Sequence, residues 1–156
     1  MSILITFLIL LLTALTLIAL RIMVPGFRYS WLFAVGGTFF AWLSVISWQI
    51  QFPINLQFAS WQPATLFTQA PTFIADRISW LFVFSLVSLG LAILITAAVR
   101  PHFPSPASWA GTLVLTALGM MAVVANNPLT LVLIWAAIDL VELVVQIWYV
   151  EDPKMS

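Results

Sequence analysis

"GMMAVVANNPLTLVLIWAAIDLVEL", residues 119–143, decides how often this chain can cross an apolar layer. No charged side chain occurs from residue 103 to residue 138. That run is too long for one crossing, since a helix through about 30 Å of hydrocarbon needs roughly 20 residues. Asn126-Asn127-Pro128 supplies the break. Proline fits a first helical turn, and asparagine caps or turns the chain ahead of it. Two helices are therefore expected, over 108–125 and 128–149. The second holds Asp139 and Glu142 within an otherwise apolar run.

Composition sets the setting for these acids. Of the 156 residues 63% are hydrophobic and 6% charged, the formal net charge is zero, and mean hydropathy is +1.15. A soluble domain carries about 25% charged residues, so this chain cannot coat a water-facing globule. An all-α membrane protein is expected, one membrane domain over 1–156. Three further helices fall at 3–20, 31–50 and 78–99. Arg21 and Pro25-Gly26 close the first, Gln51 and Pro53 the second, and Asp76-Arg77 and Arg100-Pro101 bracket the third. The first helix has no basic leader and too long an apolar run for a signal peptide, so it reads as a retained span.

Tryptophans support these edges. Trp31, Trp48, Trp80, Trp109 and Trp148 fall near proposed helix ends, as an interfacial belt requires. Trp42 and Trp135 lie deeper and are expected to pack between helices. Arg21, Arg28, Arg100 and Lys154 mark one side of the membrane, and Arg77 alone the other. Positive-inside counting then puts the N-terminus outside and the C-terminus in the cytoplasm. The segment 51–73 is external on this reading. Within it 54–59 alternates as a strand does and 64–69 is the expected returning strand. A lone hairpin is marginal in water, so this one should lean on neighbouring protein.

Several function classes fall away. Cysteine is absent, His102 is the single histidine, and neither a phosphate loop nor a nucleophile–base motif occurs. No metal and no cofactor are therefore expected. Without basic runs, nucleic acid is not an expected partner.

The acids remain. From Pro128, Asp139 lies about 16 Å along the helix and Glu142 about 21 Å. A central Asp costs about 2.5–3.5 kcal/mol on insertion, and each Leu, Ile, Val or Phe offsets roughly 0.3–0.6. The twelve such residues from Leu129 through Ile147 offset roughly 4–7 kcal/mol, about what two acids cost. Such a helix suits a protein-lined position better than a lipid-facing one. Steps of 4, 3, 4 and 3 place Trp135, Asp139, Glu142, Gln146 and Tyr149 on one face. Asp139 and Glu142 are the candidate proton site, with Trp135 and Gln146 as the supporting polar face. The competing reading is structural: acids hydrogen-bonded or ion-paired to a neighbour. No Lys, Arg or His lies deep in another helix, so a basic partner would have to come from another chain.

Gly111, Thr112, Thr116 and Gly119 are expected to line one side of the fourth helix for close packing, and Gly36-Gly37 to do the same in the second. Asp76-Arg77 reads as an interfacial anchor at a helix start.

Three features together resemble the N-terminal part of the antiporter-like membrane subunits of respiratory complex I and of Mrp cation/proton antiporters. They are "FIADRISWLFVFSLVSLGLAIL" (73–94), the opening stretch 119–143, and the external loop before Asp76. The resemblance spans nearly the whole chain. It implies a proton-conducting fold in which a fifth-helix Glu, directly after an aromatic residue, pairs with a seventh-helix Lys. Here Ala136 follows Trp135, and Asp139 lies one turn on. The chain ends after the fifth helix, so the Lys would lie elsewhere.

The expected function is a short or split antiporter-like subunit of a proton-pumping complex, in a bacterial plasma membrane. Catalysis would belong only to the assembled complex, of the NADH:quinone oxidoreductase type. The expected partners are other integral membrane subunits and the bilayer. The alternative is a non-catalytic scaffold subunit of such a complex.

Overall fold

Hydroxyl groups in an apolar helix need acceptors, and this chain supplies them locally. In a computed structural model describing residues 2–24, 29–57, 70–99 and 106–150 (side chains through 147), most helical hydroxyls bond back one turn. Thr13 donates to the Ile9 carbonyl at 2.6 Å, Thr38 to Ala34 at 2.8 Å and Thr116 to Thr112 at 2.7 Å. Among the described residues no buried side-chain polar atom lacks a partner. That economy is what a helix without water contact requires.

Five α-helices result: α1 (Ser2–Met23), α2 (Ser30–Ser47), α3 (Arg77–Ala98), α4 (Pro106–Val123) and α5 (Pro128–Val150). A 3-10 turn, Trp48–Ile50, prolongs α2. Each span is long and apolar enough to cross a membrane. They follow the expected crossings to within a few residues. The end of α1 runs three residues further, to Met23, and α4 stops two residues short, where Val124 and Ala125 leave the helix to pair with a strand.

The helices alternate in direction. α1 packs on α2 and α4, and α3 on α2 and α4, closing a four-helix ring. α5 is added outside the ring, with α4 as its main neighbour. Burial follows this arrangement: 44% of the α4 span is buried, against 11% of the α5 span.

Two strands close one end of the ring, β1 (Ile54–Gln57) and β2 (Thr72–Ala75). They are antiparallel, with Ile54 opposite Ala75 and Gln57 opposite Thr72. The described partner of β1 is 72–75, which begins inside the 51–73 loop drawn from sequence and runs past its end, rather than the expected return at 64–69. Residues 64–69, like 58–59, lie outside the described residues. The physical reason is burial. In this register Phe73 and Ala75 point into the core beside Trp48, Val83 and Met120. On its other edge β2 meets the α4–α5 turn. Ile74 donates its N–H to the Val124 carbonyl at 2.8 Å, and Asn126 donates to the Thr72 carbonyl at 2.9 Å. The hairpin does lean on protein, its own bundle.

Tryptophan positions depart from the expectation in three places. Trp48 is 0% and Trp109 2% exposed, so both are core residues rather than belt residues. Trp48 donates its indole N–H to Thr6 Oγ1 at 3.1 Å, which makes burial of the ring affordable in hydrogen bonds. Trp135 is 59% exposed and, among the described residues, is not packed between helices. Trp42 does pack between helices, stacked on Phe39 and donating to Ser88 Oγ of α3 at 2.9 Å. The side chain of Trp148 lies outside the described residues.

The small residues of α4 also serve two neighbours rather than one side. Gly111 lies against Val145 of α5, while Gly119 lies against Leu86 of α3 and Thr116 against Gly90 of α3. In α2, Gly37 meets Thr13 of α1, whereas Gly36 faces open space.

Candidate functional site

The start of α5 is set by Asn127. Its Oδ1 accepts the N–H of Thr130 at 2.8 Å, an N-cap bond three residues on. Pro128 then occupies the first helical position, where its missing N–H costs nothing. Asn127 Nδ2 also donates to the Ala70 carbonyl at 2.8 Å and to Thr72 Oγ1 at 3.1 Å. Thr130 Oγ1 bonds both Asn127 Oδ1 and, at 3.0 Å, the N–H of Thr72. This knot fixes where α5 begins and how it is rotated.

Rotation decides which face looks inward. Thr130 and Ile134 are buried, and Ile138, Val141 and Val145 are half-buried. These positions step by three and four residues, one helical stripe, and they meet α4. At Gly111 the two helices come so close that a β-carbon there would stand 2.9 Å from Val145 Cγ2.

The opposite stripe holds the candidate residues. Trp135, Asp139, Glu142 and Gln146 are all exposed, on the side of α5 turned away from its own bundle. The structure therefore brings the four onto one face, as their spacing predicts, along about 16 Å of helix. It does not place them inside this chain's core. No described side chain donates a hydrogen bond to either carboxylate. The side chain of Tyr149 lies outside the described residues.

Such a stripe offers two carboxylates, an amide and an indole N–H to whatever stands beside α5. Carboxylates can accept hydrogen bonds, pair with a cation, or carry a proton when a neighbour shields them. Among the described residues no three His, Asp or Glu converge as metal ligands.

Sequence reading missed a second polar group, at the strand end. Thr6 Oγ1 and Ser44 Oγ lie 2.7 Å apart, Trp48 donates to the same Thr6 oxygen, and Ser2 bonds Gln51. The four-residue spacing of Ser2 and Thr6 was the available signal, since it puts both on one face of α1. Nearby, Asp76 caps α3. Its carboxylate accepts the Ser79 N–H at 2.7 Å while Ser79 Oγ accepts the Asp76 N–H at 2.8 Å, a reciprocal capping box. The Ser79 N–H, foremost, holds the Asp76 carboxyl below its ordinary value.

No family model matches this chain, and neither the curated proteins nor the solved structures give a significant match.

Proposed function

We propose that this chain is a membrane subunit of an ion-translocating complex, a short or split relative of the antiporter-like subunits. In that complex Asp139 and Glu142 form a carboxylate site completed by another chain. One observation carries the reading. The polar stripe of α5 is turned outward from the four-helix ring, on the least buried of the five helices. In a bilayer, two ionisable side chains on an outer face are costly unless a neighbour covers them. The likeness of 73–94 and 119–143 to antiporter-like subunits supplies the ion-conducting role.

The same reading sets the chain in an energy-conserving bacterial plasma membrane, N-terminus outside. Arg21 then marks the cytoplasmic end and Arg77 the outer one.

The test is isolation from native membranes in mild detergent, followed by ion-transport assays on the reconstituted assembly. A multi-subunit complex is expected, in which Asp139→Asn abolishes coupled transport while assembly persists. Full transport by that variant would overturn the carboxylate role. Loss of assembly alone would favour the scaffold role, and a lone monomer would overturn both.

A further inference from the structure

Between the 3-10 turn after α2 and the first turn of α3 is an open hollow of about 360 Å³, lined by Gln49, Phe52, Arg77, Trp80 and Leu81. We propose that this hollow binds the phosphodiester headgroup of an anionic membrane lipid. Arg77 and Gln49 would take the phosphate oxygens, and the aromatic and leucine side chains the glycerol and upper acyl region.

Charge accounting supports an anion here. The chain has five acidic residues: Asp76, Asp139, Glu142, Glu151 and Asp152. Asp139 and Glu142 lie well down α5, and Glu151 and Asp152 come after it in the sequence. Only Asp76 is near Arg77, and its carboxylate is committed to the Ser79 N–H at 2.7 Å. The residues 58–69 that join the two strands contain no acid. Gln49 is exposed, and its amide has no partner among the described residues. Guanidinium and amide donors together match phosphate oxygens well.

The remaining walls argue for an amphiphile rather than a free ion. Trp80 and Phe52 meet edge to face, ring centroids 6.5 Å apart. The Trp80 indole N–H is already spent on the Val45 carbonyl at 2.8 Å, so the ring offers only apolar surface. On the same stretch of α3, Ile78, Leu81 and Phe82 are 67%, 57% and 63% exposed, and Leu81 carries this apolar flank to the hollow. Asp76 weakens the local positive field, so a small phosphate alone gains little. A lipid adds hydrocarbon contact along α3. The site rests on the helices crossing a membrane, not on ion transport.

Native mass spectrometry of the full chain in mild detergent, with added dioleoyl phosphatidylglycerol, dioleoyl phosphatidylcholine or inorganic phosphate, tests this. Phosphatidylglycerol should be retained, phosphatidylcholine less so, and millimolar phosphate should not displace it. Arg77→Gln should weaken phosphatidylglycerol retention about tenfold, the loss of one charge-assisted contact. Gln49→Ala, in a side chain with no described bonds, checks the same effect without removing charge and should weaken it less. Retention unchanged in Arg77→Gln, or equal for both lipids, would overturn the site. Full displacement by phosphate would reduce it to an anion pocket and overturn the lipid assignment. A lone monomer that keeps the lipid would remove the complex reading and leave this one standing.

Discussion

Thr13 of α1 fills the space where a β-carbon on Gly37 of α2 would stand. Glycine here is a packing requirement: the backbone of α2 approaches α1 too closely for any side chain. The neighbouring Gly36 meets nothing. Gly37→Ala should therefore destabilise the α1–α2 pair by about 1–3 kcal/mol, the usual cost of overpacking. Gly36→Ala should be neutral or stabilising by up to roughly 1 kcal/mol, because alanine is the better helix former. Thermal unfolding of the two variants in the same detergent checks both signs.

Asn127 joins α5 to β2. Asn127→Ala removes an N-cap and two donor bonds, and should cost about 1–3 kcal/mol. Asn127→Asp keeps the capping oxygen but leaves the Ala70 carbonyl unserved. Hydrogen exchange separates the two effects. The Thr130 amide should lose protection in the alanine variant and keep it in the aspartate variant.

Asp76 makes stability depend on pH at the strand end. Its carboxyl sits below its ordinary value of 3.8 because the Ser79 N–H bonds the ionised form. A lowered folded-state value means stability is present above the unfolded value and lost as pH falls through the folded one. Asp76→Ala should therefore unfold at a lower temperature than the parent near pH 7. The gap should begin to narrow below about pH 4 and close once the pH falls through the lowered folded-state value. A gap that widened in acid would contradict the capping geometry.

The outward stripe of α5 predicts opposite responses in two settings. Asp139→Leu should favour membrane insertion of the isolated helix by about 3–4 kcal/mol, the difference between the two residues at a helix centre. If a partner chain covers Asp139 as proposed, the same change should weaken association, because leucine, unlike asparagine, offers that chain no hydrogen-bonding group. Insertion measured in a reporter host and complex recovery from native membranes give the two readings. A leucine variant neutral in recovery would show that nothing is paired with Asp139.

Helix number, helix positions and the shared face of Trp135, Asp139, Glu142 and Gln146 were all legible in the residue order. Hydropathy, helix breakers and the 3.6-residue period are local properties, and each is read from a short window. The break at Asn127-Pro128 is local too, because capping involves residues three apart. The sequence alone thus determined five apolar helices and the polar stripe on the last.

Tertiary structure decided which way that stripe looks. Periodicity says that residues share a side but not what stands beside it; the bonds of Thr130 to Asn127 and Thr72 and the packing of Val145 on Gly111 together turn the acids outward. It likewise decided that 72–75 pairs with β1, since the choice depended on Phe73 and Ala75 reaching a core assembled from four separate helices. Trp48 and Trp109 went into the core for the same reason: burial is a property of neighbours distant in sequence, and no local window contains them.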